Sequence, residues 1–85
     1  MNPYKIIMKP YITEKAMLMM EKENKLIFII NPKSTKKDVS EAIQSMYEVK
    51  VDSVNISKDK HGKKAIVKLS KDYSAEDIGM RLGLF

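Results

Sequence analysis

The chain has no cysteine and no tryptophan, a single histidine, three glycines and three prolines in 85 residues. Without a thiol there is no disulfide, thiolate nucleophile or zinc–thiolate site, a composition that suits a reducing cytoplasm. His61 has no second histidine to act with, so a metal centre or nucleophilic pair would have to come from scattered carboxylates. None is expected, and His61 is assigned to a turn. No glycine stands in a GxGxxG or P-loop setting, which argues against a nucleotide cofactor or nucleotide hydrolysis. The longest apolar runs, 16–20 and 26–30, have five residues each, whereas a membrane-spanning helix needs about 20. Lys9 and Pro10 follow too soon after the start for a signal peptide. No repeat, low-complexity tract or linker breaks the chain, so one domain over residues 1–85 is expected.

What is abundant is lysine. Lys plus Arg number 16 against 11 Asp plus Glu, a formal charge of +5, and only Arg81 is not lysine among the cations. Lysine is a mobile point charge suited to neutralising phosphates, whereas guanidinium forks serve bidentate reading of guanine edges. Nucleic acid recognised through backbone and shape is the partner class this balance favours.

The stretch Lys63-Lys64-Ala65-Ile66-Val67-Lys68-Leu69 combines a half-buried strand with a cationic surface. Ala65, Val67 and Leu69 fall on one face by the period of two, and Lys64 and Lys68 flank Ile66 on the other. Before it, alternation over residues 4–9, stopped by Pro10, predicts a short first strand. Thr13 is placed to cap a helix running to about Lys22, whose apolar residues spread beyond one face. Residues 26–30 are apolar throughout and predict a central strand covered on both faces. Thr35 and Asp38 form a capping-box-like start for a helix over 36–48, with Val39, Ala42, Ile43, Met46 and Tyr47 on one side. Val51 and Val54 differ in parity, which a bulge near Asp52 and Ser53 would reconcile. Gly62 marks a hairpin turn, and Ser74 to Asp77 predicts a second capping box. Ala75, Ile78 and Leu82 then line a last helix that Gly83 closes, with Leu84 and Phe85 packed beside it. The expected class is α+β: a small α/β sandwich with a mostly antiparallel sheet of about four strands, in the order β-α-β-α-β-β-α, a ferredoxin-like variant.

Two basic clusters are candidates for phosphate contact. One is the turn carrying Lys58, Lys60, Lys63 and Lys64, continued by Lys68. The other is Lys33, Ser34, Thr35, Lys36 and Lys37 beside a helix start, where amides and dipole favour an anion. The plain alternative for both is solubility, with lysines guarding a sheet edge. Glu14, Asp38, Glu76 and Asp77 all lie in first turns of helices, which electrostatics explains without catalysis. An RNA-recognition-motif reading fails because Phe28 is isolated in an all-apolar strand.

Taken together, Lys9-Pro10-Tyr11-Ile12-Thr13-Glu14-Lys15-Ala16, Thr35-Lys36, Glu48-Val49-Lys50-Val51 with Val54-Asn55, and residues 63–69 resemble the ribosomal protein L23 family, in order and over essentially the whole chain. The resemblance implies a non-enzymatic, cytoplasmic protein of the large ribosomal subunit that binds rRNA of domain III beside the polypeptide exit tunnel. It implies rRNA-binding roles for Lys9 and the two basic clusters, and a docking surface for signal recognition particle or other exit-site factors. Glu14 matches the glutamate that bacterial members use for docking, with Lys15 beside it. A ribosomal protein of the L29 family is the implied protein neighbour. Between Ile56 and Lys64 only a short turn stands where bacterial members carry a long basic loop, and the eukaryotic N-terminal extension has no counterpart, so the pattern is archaeal in type. The competing reading is a small ferredoxin-like protein-interaction or ligand-binding module whose lysines serve solubility alone. An acylphosphatase-like enzyme would need a catalytic arginine in a phosphate loop, and Arg81 lies in the last helix.

Overall fold

A computed structural model describes residues 2–60 and 62–84. The turn assignment of His61 and the packing of Phe85 lie outside them. Four helices and four strands follow in the order α1 (Pro3–Ile6), β1 (Ile7–Pro10), α2 (Glu14–Glu23), β2 (Lys25–Ile30), α3 (Lys36–Tyr47), β3 (Val51–Asp59), β4 (Gly62–Leu69) and α4 (Ala75–Arg81). The strands form one sheet in the order β1-β2-β4-β3, every neighbouring pair antiparallel. This is the α+β class that the sequence predicts. No helix among the described residues is long and apolar enough to cross a membrane.

The first strand is shorter than predicted. Residues 3–6 form a helical turn because Asn2 accepts a bond from the Tyr4 amide at 2.9 Å and Pro3 stands at the first helical position. That pairing of a capping side chain with a proline of preset φ overrides the alternation. Ile6 and Ile7, on either side of the switch from helix to strand, are both buried.

One face of the sheet carries the core. Leu26, Phe28 and Ile30 of β2 lie beside Val67, Ala65 and Lys63 of β4, and Val54 of β3 pairs with Val67. Helix α3 lays Val39, Ala42 and Ile43 onto this layer, and α1 packs against α3. Its start has the predicted reciprocal cap: the Asp38 amide donates to Thr35 Oγ1 at 3.2 Å and the Thr35 amide to Asp38 Oδ2 at 3.0 Å. Ser74 supplies the forward half of the second box, accepting from the Asp77 amide. The predicted bulge is present, since β3 slips register between Val51 and Ser53. Gly83 takes a φ of +74°, as a helix-closing glycine does.

Helix α2 buries Ala16 and Met20 and packs on β2 and α4, leaving Leu18 outward. It ends at Asn24 in the left-handed conformation (φ 57°). That side chain ties three distant segments together. Its amide nitrogen donates to the Tyr73 carbonyl at 2.8 Å, and its oxygen accepts from the Ala75 amide at 2.7 Å, at the start of α4. The Asn24 carbonyl accepts from the Leu69 amide, locking the end of β4 in the same place.

Candidate nucleic-acid interface

Because strand side chains alternate, Lys25, Lys64 and Lys68 of the inner strands collect on the sheet face turned away from α3, whereas Lys63 falls on the other. Register places them in three rows. In the first, Lys9 stands opposite Ile29, Ile29 opposite Lys64, and Lys64 opposite Ser57. In the second, Ile27 faces Ile66 and Ile66 faces Asn55, with Tyr11 joining through its amide bond to the Ile27 carbonyl. In the third, Lys25 faces Lys68 and Lys68 faces Ser53. These strand positions present four lysines and no carboxylate. Glu23 reaches in only to pair with Lys25 at 3.1 Å.

The strand predicted to be covered on both faces is covered fully on the helical side, where Leu26, Phe28 and Ile30 are buried, and in part on the other, where Ile29 is buried and Ile27 is half-buried. At the edge of this face Lys15 and Met19 of α2 line a cleft with Ile27 and Ile66. Lys64 Nζ lies 3.8 Å from the centre of the Tyr11 ring, a cation–π contact that holds the ammonium over the open face.

The remaining lysines form a separate cluster at the hairpin end. The β3–β4 ladder continues to the Asp59–Gly62 pair. Lys58 pairs with Lys63, and Ile30 brings the 31–35 turn beside them. Here geometry separates residues that sequence alone grouped. Lys63 Nζ donates to the Pro32 and Ser34 carbonyls, both at 3.0 Å, so two of its three donors are engaged inside the protein. Ser34 is buried, at 4% exposure. Thr35 is committed to its helix cap. Lys33, Lys36, Lys37, Lys58 and Lys60 remain exposed around this clamp.

The clamp gives a prediction. Lys63→Ala should lower stability by about 1 kcal/mol, after allowance for solvent at this partly exposed site. Lys68→Ala, at an exposed strand position, should leave the urea midpoint within the scatter of surface substitutions. Equal midpoints for the two variants would refute a structural role for Lys63.

Glu14 and Lys15 open α2, where Thr13 accepts from the Ala16 amide at 3.0 Å. Glu14 is exposed and lies one turn before exposed Leu18, with exposed Ile12 just upstream. On the helical side of the sheet, burial pushes the Tyr47 phenol above its ordinary pKa, with nearby Tyr4 adding to the shift, so Tyr47 stays neutral and takes no part in the charged face.

Fold and surface together define a small basic α+β protein with one helix-covered sheet face and one open, lysine-bearing face. Residues 5–76 match the family model described as Ribosomal protein L23. The chain is 51% identical over 79 residues to the large ribosomal subunit protein uL23 of Picrophilus torridus, covering 93% of this chain and 96% of that one. It is 48% identical over 86 residues to the protein of the same name from Methanothermobacter thermautotrophicus, with both chains covered completely. The Thermoplasma acidophilum protein of that name is 45% identical over 80 residues, covering 94% of this chain and 95% of that one. The chain belongs to the ribosomal protein L23 family. The family is structural, and the chain is not an enzyme.

Proposed function

We propose that this protein is a structural constituent of the large ribosomal subunit in the cytoplasm and holds large-subunit rRNA on its open sheet face. The observation that carries the reading is the register of Lys9, Lys25, Lys64 and Lys68, each directly opposite an uncharged residue or another lysine, in a chain closely similar over its length to large-subunit proteins. A rigid sheet fixes these ammonium groups at spacings set by the backbone, with Lys64 and Lys68 about 13 Å apart along β4. Fixed cations neutralise phosphates without ordering a loop first. Lys33, Lys36, Lys37, Lys58 and Lys60 form a second contact at the hairpin end, and Lys63, Ser34 and Thr35 shape it from within.

The bound rRNA is that of domain III beside the polypeptide exit tunnel, and an L29-family protein is the neighbour. This finer placement rests on the family resemblance. Support for factor docking comes from the exposed strip of Ile12, Glu14 and Leu18, which joins apolar contact to a negative charge. Signal recognition particle or another exit-site factor docks there, with Glu14 making the charged contact and Lys15 beside it.

Two outcomes test these assignments. Lys64→Ala combined with Lys68→Ala should reduce the slope of log K against log salt, for binding to a large-subunit rRNA fragment, by about one to two units, each lost phosphate contact accounting for roughly 0.7 to 0.9. An unchanged slope would move the RNA contact off this face. Glu14→Ala should leave assembly into the subunit intact and weaken binding of signal recognition particle to ribosomes by roughly five-fold, the scale of an exposed charge contact. Equal affinity for both kinds of ribosome would reject the docking assignment.

A further inference from the structure

Between the lysines of the open face lies a feature that phosphate neutralisation does not require. Ile27 and Ile66 stand opposite each other in the middle row, both half-exposed. With Met19 of α2 and Tyr11 they line a cleft of about 290 Å³, whose rim carries Lys15 and Lys64. Among the described residues no carboxylate lines it. Its size is at the small end of ligand sites, enough for one flat ring system and not for a helix or a folded ligand. An apolar patch within a ring of lysines suits a ligand that is itself flat, apolar on its faces and anionic at its ends.

A nucleotide of a single strand has that chemistry. Single-stranded RNA is held by pairing a cationic track with surfaces that take up unstacked bases. We infer that the Ile27–Ile66 cleft receives one unstacked base of the bound RNA, with Lys15 and Lys64 holding its flanking phosphates. The inference rests on the rRNA-binding reading and adds that the RNA at this face is locally single-stranded. Tyr11 holds Lys64 at the cleft mouth through the cation–π contact, so the cation is positioned before RNA arrives. The base sits against aliphatic side chains instead of the paired aromatics of other RNA-binding sheets, which is why aromatic motifs do not reveal the site. Asn55, exposed beside Ile66 on β3, supplies hydrogen-bonding capacity at the edge.

The test compares two probes of equal charge at low salt, hexauridylate and an abasic ribose-phosphate hexamer, titrated into the isotopically labelled protein and followed by NMR. Hexauridylate is expected to bind at least about five-fold more tightly, the low end of what one stacked base contributes. It should shift the methyl signals of Ile27, Ile66 and Met19. Ile66→Thr keeps a β-branched residue in the strand and should abolish the difference between the probes without altering abasic binding. Equal affinity of the two oligomers would overturn the base site and leave the phosphate-binding face standing. Failure of both to bind, together with failure of the large-subunit rRNA fragment, would instead remove the RNA reading itself.

Discussion

Phe28→Ala is expected to destabilise the protein by about 4 kcal/mol, the usual cost of emptying a buried aromatic site. Phe28 is only 1% exposed and lies on β2, paired with Ala65 on one side and Pro10 on the other. Ala65 is itself fully buried and too small to fill the space. The ring also stacks with Tyr47 at a centroid distance of 6.5 Å and an interplanar angle of 21°, a contact of about 1 kcal/mol beyond its buried area. Domains of this size hold about 5 to 15 kcal/mol in total, so the variant should be partly unfolded at 37 °C. Phe28→Leu retains most of the volume and should cost about half as much. Urea unfolding followed by circular dichroism separates them. A loss below about 1 kcal/mol for the alanine variant would mean that α3 closes onto the sheet without this ring.

Asn24→Ala should cost about 3 kcal/mol, although Asn24 is only partly buried. Two short hydrogen bonds are lost, to the Tyr73 carbonyl and from the Ala75 amide, and each partner sits where water replaces it poorly. Alanine must also hold the left-handed φ of 57° that asparagine tolerates, adding about 1 kcal/mol. Asn24→Gly relieves the backbone and still loses the side-chain bonds, so the expected stability order is asparagine, glycine, alanine. If glycine matched asparagine, backbone conformation alone would explain the residue. Hydrogen exchange should show the start of α4 opening first in either variant, because Asn24 is what ties it to β4 and α2.

Both residues bear on function through the open face. Lys64, Lys68, Ile27 and Ile66 are spaced by the register of β2 against β4, and that register holds because Leu26, Phe28 and Ile30 are buried on the other side. A slip by one residue would turn the lysines inward and the core outward. The charged surface is therefore a by-product of core packing, and variants that loosen the core should weaken RNA binding without touching a lysine.

Much of this was legible in the residues themselves. The alternation of 63–69 predicts both the buried and the cationic face of β4, the parity break at Val51 and Val54 predicts the bulge, and the period of α3 with its Thr35–Asp38 box predicts that helix and its start. Each signal is local, carried by residues a few positions apart. The Asn2–Pro3 pair was equally local, and weighing it would have exposed the helical turn that cuts short the first strand. An asparagine after Glu23 at the end of a helix is a known left-handed terminator, and it could have marked Asn24.

Sequence by itself determined the class of fold, the absence of thiol and phosphate-loop chemistry, the excess of lysine and the family pattern. Tertiary structure decided what each lysine faces. Lys63 and Lys64 are neighbours in the chain, yet the first clamps the Pro32 and Ser34 carbonyls while the second stands over Tyr11 on the open face. The reason is that alternation assigns a side chain to a face from two residues of sequence, but its partner lies some thirty or fifty residues away. Only the antiparallel pairing of β2 with β4 brings those partners within reach.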